Sequence, residues 1–401
     1  FFKLFIMKTL LKTGIITLLT FATFILSTTN VNAQTKSETD KTYIKIEVDG
    51  LSCPFCAYGL EKKLKQAGAK DVLIQLKEGE ATMSVSKDQQ PTEDELQKIV
   101  KDAGFTPKEI TFSTTPFKMK NKVVFILTAA FLGTFFLFSC RGKQEKKTEI
   151  STQWKFVKSI DLNNVNPIGI VAQGDFLWLS DVDNNRIVKI DLDGKIIEAF
   201  DGFQRPMHIA IQKDKIYVPE YTSDSLKILE DGKVSIYKLK EKPDAIAGVS
   251  IDGNTAAVAD FYNNRIILQQ NHKVTIIGKE GHKDGELYYP TDVEISNDLI
   301  YVADAYNNRV QVFDLNGNYV RMIGWNEGIK VATGVKVTDS QVIVADFDGN
   351  RVLVYDLNGK LLQILSDKFN QPTDIEIVNN KMYVVNVLLI LQHLDWWWRE
   401  F

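Results

Sequence analysis

The sequence predicts a multidomain chain of two classes of fold. An α+β sandwich of order βαββαβ comes first and an all-β six-bladed propeller second, separated by a hydrophobic segment that reads as a signal or membrane helix. Three observations carry this. Residues 43–112 switch between period-2 and period-3.6 apolar patterning in that order. From residue 154 one pattern returns six times, about every 40 residues, the range in which propeller blades occur. Between them, residues 119–140 read MKNKVVFILTAAFLGTFFLFSC, lysines leading into an unbroken apolar run. The 401 residues suffice for two cored domains. With 25% charged residues and a net charge of -3, no chain-wide attraction to nucleic acid or an acidic surface is expected.

Residues 1–33 read as an N-terminal export signal. Lys8 and Lys12 precede an apolar core over 15–26, and Val31-Asn32-Ala33 ahead of Gln34 suits a signal peptidase. The alternative is a membrane anchor, for which the apolar core is short. Residues 1–6, ahead of Met7, read as upstream translation.

In the first module, Tyr43-Ile-Lys-Ile-Glu-Val alternates as a strand, and Gly50 opens a loop carrying Cys53-Pro54-Phe55-Cys56. Ala57, Leu60, Leu64 and Ala67 then share one helical face. Strands are expected at 72–76, 81–85 and 107–111. Thr92 and Glu95 make a capping box for a second helix with apolar positions Leu96, Ile99, Val100 and Ala103. Cys53 falls in the loop and Cys56 in or near the first helical turn, where the helix dipole favours thiolate. Two thiolates on an exposed loop suit soft ions of low coordination number, Cu(I) or Hg(II), better than zinc, which wants four ligands. Zn(II) stays a further candidate, although no histidine lies in this half to complete a tetrahedral set.

On Gly50-Leu51-Ser52-Cys53-Pro54-Phe55-Cys56-Ala57, the element order and Gly104-Phe105, this segment resembles the heavy-metal-associated domain of copper chaperones, metal-pumping ATPases and the periplasmic mercury-binding protein. The resemblance implies that Cys53 and Cys56 both bind the metal. It also implies that the partner is a metal-transporting membrane protein or another Cys-x-x-Cys domain. Leu51 stands where the family usually has methionine, and Phe105 where soluble bacterial chaperones more often have tyrosine. Two other readings stay open: a glutaredoxin-type redox pair and a structural disulfide. The redox fold needs a cis-proline loop facing the pair, whereas Pro91 sits at a helix start.

Leu137-Phe138-Ser139-Cys140 resembles a bacterial lipobox, which implies that Cys140 is lipidated as the first residue of a mature protein. The alternative is a transmembrane helix joining the halves. Its apolar stretch, 123–139, is near the lower length limit, and basic residues at both ends give no orientation. A complete signal-plus-domain unit precedes this segment, so the halves read as two neighbouring genes joined as one, with a genuine fusion as the alternative. The expected location is the bacterial cell envelope, periplasmic or membrane-anchored as a lipoprotein.

The repeats span 154–386. Units open at Pro167-Ile-Gly-Ile, Pro206-Met-His-Ile, Pro243-Asp-Ala-Ile, Pro290-Thr-Asp-Val, Ala332-Thr-Gly-Val and Pro372-Thr-Asp-Ile. A strand ending in an acid follows in five units, at Asp181, Glu220, Asp260, Asp304 and Asp346. In four of these a loop then leads to Arg186, Arg265, Arg309 or Arg351, close enough to pair with the acid. In the second unit Glu220 replaces the aspartate and Ser225 the arginine. This vocabulary resembles the NHL-repeat six-bladed β-propeller. The stretch from Trp154 is expected to close the sixth blade as its outer strand. The tail 387–401, with three consecutive tryptophans and no Asn-Asn-Arg loop, reads as aberrant, from a shifted frame or truncated gene, and leaves the sixth blade without a third strand.

Some NHL enzymes hold a metal in the channel with histidines. His208, Asp292 and Asp374 occupy matching places in their units and form a candidate channel site. Lining a polar channel is the plainer role for them, so no enzymatic activity is expected. Acids and bases are mixed without a basic stripe, which argues against RNA. A rigid ring presenting its loops to a protein or small ligand is the default, with metal capture by Cys53 and Cys56 as the function. The alternative makes the propeller a receptor or metal-dependent enzyme and the small domain its accessory.

Overall fold

Period-2 patterning places the core of the first module. β1 (Lys41–Asp49) buries Thr42, Ile44, Ile46 and Val48, every second side chain. The computed structural model describes residues 41–49, 51, 54–75, 78–117, 153–271, 273–387 and 390–397. It continues with α1 (Pro54–Gln66), β2 (Lys70–Gln75), β3 (Glu80–Ser86), α2 (Glu93–Asp102) and β4 (Thr106–Ser113). The sheet order is β2-β3-β1-β4, all antiparallel. Leu60 and Leu64 of α1 and Leu96 and Val100 of α2 pack in one core with Ile44 and Ile46. The capping box is present: Thr92 Oγ1 accepts from Glu95 N at 3.3 Å, and Thr92 N donates to Glu95 Oε2 at 2.8 Å. One helical position differs from the pattern. α1 ends at Gln66, so Ala67 is exposed and Ala69, beyond the Gly68 turn, is buried instead.

No helix among the described residues is long and apolar enough to cross a membrane. The segment 119–140 and the signal 1–33 lie outside the described residues.

From Gln153 the described chain is strands and turns, with one short 3-10 turn. Five four-stranded sheets cover 167–201, 210–237, 246–277, 290–323 and 332–365, each in chain order from an inner to an outer strand. A sixth joins Pro372–Val378, Lys381–Asn386 and Ile390–Trp397 to β5 (Gln153–Asp161). The inner strands neighbour one another all round, and the last meets the first. β5 thus closes the ring, as the sequence predicts. Trp154 is buried there, and its indole donates to Gln341 of the fifth blade at 3.0 Å.

The acid–arginine pairs form as expected. Arg186, Arg265, Arg309 and Arg351 meet Asp181, Asp260, Asp304 and Asp346 at 2.7, 2.7, 2.9 and 2.8 Å. Each acid also accepts from a backbone N–H just ahead of its blade's inner strand, as Asp304 does from Tyr288 at 2.7 Å. The latch therefore ties the second strand, its loop and the blade entry together. In the second blade Lys227 supplies the cation, 2.8 Å from Glu220, with Ser223 and Ser225 donating to the same carboxylate. In the sixth blade Asn386 takes the acid's place and accepts from Asn370 N at 3.1 Å.

Two expectations are corrected. The third blade's inner strand is Ile246–Asp252, so its unit opens three residues after Pro243. The tail does supply a third strand to the sixth blade, since Ile390–Trp397 pairs with Lys381–Asn386 on one side and β5 on the other. The slot between two strands offers a hydrogen-bonded ladder and apolar neighbours, and this context overrides the poor alternation of the tryptophan run. Leu391 and Leu394 are buried, and His393 stacks on Tyr383 at 5.0 Å.

Candidate functional site

The six blade entries, placed in register, share a third residue: Gly169, His208, Gly248, Asp292, Gly334 and Asp374. Glycine and a polar side chain alternate round the ring. The glycines stand where the next blade's backbone comes too near for a side chain. A Cβ would lie 2.6 Å from Met207 O at Gly169, 2.8 Å from Thr291 O at Gly248 and 2.5 Å from Thr373 O at Gly334. The other three gaps hold His208, Asp292 and Asp374, whose ligand atoms all lie within 4.8 Å of one another. All three are buried. His208 Nδ1 is 3.3 Å from Asp374 Oδ2.

Each aspartate also staples blades. Asp292 accepts from Val293 N at 2.8 Å and from Val335 N of the next blade at 3.0 Å. Asp374 accepts from Ile375 N at 2.8 Å and from Ile170 N of the first blade at 3.0 Å. Each of the four carboxylate oxygens thus accepts one backbone N–H of the ring. Burial, together with the nearby Asp374 charge, pushes the Asp292 carboxyl up to about 6 against the pull of His208. Burial also works against a charged His208 ring, but the Asp292 and Asp374 carboxylates outweigh it and hold the imidazole above its ordinary value. The set is one imidazole nitrogen and two carboxylates, which suits a divalent cation of borderline or hard character.

Two residues further along the inner strands lies a second charged layer. Lys336 Nζ sits 3.4 Å from Glu294 and 3.1 Å from Glu376. These three line a cavity of about 170 Å³ together with Asp292 and Asp374. The two glutamates hold the Lys336 ammonium above its ordinary value against the effect of burial. Glu294 keeps 19% of its side chain exposed, yet burial pushes its carboxyl up to about 7 despite Lys336. A folded pKa above the unfolded one stabilises at low pH and loses that contribution as pH rises. Denaturation midpoints should therefore fall between pH 4.5 and about 7. Glu294→Gln should flatten that slope, and equal slopes in both proteins would contradict the assignment.

Of the site residues expected from sequence, His208, Asp292 and Asp374 are brought together. Cys53, Cys140 and the side chain of Cys56 lie outside the described residues; the backbone of Cys56 is in the first turn of α1. Sequence reasoning missed Glu294, Lys336, Glu376 and the latch residue Lys227. The channel three were legible as the inward position two residues past Asp292, Gly334 and Asp374.

The model of the family DUF5128, described as a 6-bladed beta-propeller, matches residues 250–383. Among curated proteins, RING finger protein nhl-1 of Caenorhabditis elegans is 42% identical over 50 residues, which are 12% of this chain and 5% of that protein. Among solved structures, a virginiamycin B lyase from Staphylococcus aureus is similar over 61% of this chain and 89% of its own, at 18% identity and TM-score 0.45. A streptogramin B lyase is similar over 62% and 100%, at 13% identity and TM-score 0.47. The WD40 propeller domain of Doa1 is similar over 60% and 97%, at 12% identity and TM-score 0.48. The expectation of a chain without enzymatic activity is corrected here, since lyases stand among the solved structures similar to this chain. Six sheets arranged in a closed ring, and a family model of the same description from the third blade into the sixth, make the second module of this chain a six-bladed β-propeller.

Proposed function

We propose that the chain is an exported metal-handling protein of the bacterial cell envelope, in which Cys53 and Cys56 capture a soft ion, Cu(I) or Hg(II), and the propeller is the scaffold. The observation that carries this reading is the start of α1 at Pro54, which sets Cys53 directly ahead of a 13-residue helix and Cys56 in its first turn. The positive end of that helix favours thiolate at both positions, and thiolate is the form that binds soft metal. Transfer proceeds by ligand exchange: thiolates of a partner Cys-x-x-Cys domain or metal transporter replace these two one at a time. The resemblance to the heavy-metal-associated domain supports the same reading, and the lipobox-like run ending at Cys140 supports a membrane anchor for the propeller.

The buried set His208, Asp292 and Asp374 favours a second reading, in which the propeller is a cation-dependent receptor or enzyme and the small domain its accessory. Titration of the full chain with Cu(I) and with Zn(II) separates the two. The first reading expects Cu(I) binding to vanish in Cys53→Ser/Cys56→Ser and to persist in His208→Ala. Loss of all metal binding in His208→Ala alone would overturn it in favour of the second. Thiol exchange without metal uptake would instead mark a redox pair.

A further inference from the structure

The end of the propeller channel next to His208 is rimmed with aromatic side chains. Tyr221, Phe261 and Tyr306 follow directly, or within two residues, the latch acids Glu220, Asp260 and Asp304, and those acids pair with the blade entries Pro206, Ile246 and Pro290. Tyr262 and Tyr289 extend the rim, with ring centroids 5.9 Å apart. α1 of the small module lies across it. Tyr58 meets Tyr221 edge-on at 6.4 Å, under the Arg205 guanidinium at 4.0 Å. Lys63 Nζ stands 4.4 Å over the Tyr262 ring. At Gly59 a Cβ would overlap the Tyr262 hydroxyl at 1.3 Å, so the helix seats this closely only because that residue is glycine.

Charge is matched as well as shape. Lys62 is only 3% exposed, and its ammonium bonds Asp224 and, at 2.8 Å, Asp244. Glu61 pairs with Arg205. The apolar residues of the two modules form one cluster, in which Leu51, Ala57 and Leu60 join Ile168, Met207 and Ala247. These last three stand one residue ahead of Gly169, His208 and Gly248.

We propose that this tyrosine-lined face is the docking site of the chain's own Cys-x-x-Cys module. The module stoppers the channel at its His208 end, leaving the approach past Glu294, Lys336 and Glu376. The docking does not rest on metal binding by the cysteines. Processing ahead of Cys140 would put the two surfaces on two products and make each the partner of the other.

The test uses the full chain with a protease site placed within 141–152. After cleavage the two halves of the native protein should co-elute in size exclusion. Glu61→Arg and Arg205→Glu, each alone, should weaken that association by about tenfold or more, and the two together should restore it. Restoration guards against simple misfolding of either single variant. Halves that separate in the native protein, a Glu61→Arg protein that co-elutes unchanged, or a double variant that stays apart would each overturn the proposal. Neither residue belongs to a proposed metal site, so loss of docking with metal binding intact separates this inference from the metal reading.

Discussion

Arg309→Met is expected to lower the stability of the propeller by about 3–5 kcal/mol, the range for stripping one partner from a buried ion pair. Arg309 is 1% exposed, and its Nε donates to Asp304 at 2.9 Å. Its Nη2 reaches Lys283 O at 2.8 Å and Glu286 O at 3.0 Å, so the substitution also removes two bonds to the entry loop. Burial holds the Asp304 carboxyl above its ordinary value even with Arg309 present. Without the guanidinium, proton uptake is the remaining way to neutralise Asp304. The deficit should therefore shrink as pH falls toward the carboxylate range. Arg186→Met is the control. That side chain is 24% exposed, water can take over part of its role, and its loss should cost less. Urea denaturation of the three proteins at neutral and acid pH checks both statements, and equal losses at the two sites would contradict them.

Gly334→Ala is the second large effect, and its cause is steric alone. The backbone there does not lie in the left-handed region, so alanine meets no conformational penalty. The added Cβ would stand 2.5 Å from Thr373 O and 3.0 Å from the Cα of Asp374, backbone of the neighbouring blade. A ring closed on all sides has little room to yield. We expect about 1–3 kcal/mol, the range for overpacking a tight core. The same shift should displace Asp374 from His208, so any cation held by the channel should also be lost. Thermal denaturation and metal titration of the variant read the two effects. A variant as stable as the parent would mean that the blades are not held as closely as the glycines imply.

Much of this was legible in residues. Alternation in Tyr43 to Val48, the Thr92–Glu95 box and the recurring acid-loop-arginine units each rest on a local rule, and each appears in the fold. The tail was misread because its strand is imposed from outside, by Lys381–Asn386 and β5, rather than by its own pattern. The channel was half read. His208, Asp292 and Asp374 stood out as chemistry-bearing residues at matching places. The alternation of glycine with polar side chains was hidden by opening the third unit at Pro243 instead of Ile246, which removed Gly248 from the column. Lys227 could not be foreseen, since a blade without arginine gives no sequence sign of which nearby cation takes over. The docking of α1 on the tyrosines joins residues more than 140 positions apart, and no local pattern encodes it.

Soft-metal capture at Cys53 and Cys56 is open to X-ray absorption on the full chain loaded with one equivalent of Cu(I). The expected spectrum shows a copper ion surrounded by two sulfur ligands, with the sulfur signal lost in Cys53→Ser/Cys56→Ser and unchanged in His208→Ala. Copper surrounded only by nitrogen and oxygen in the native protein would contradict it.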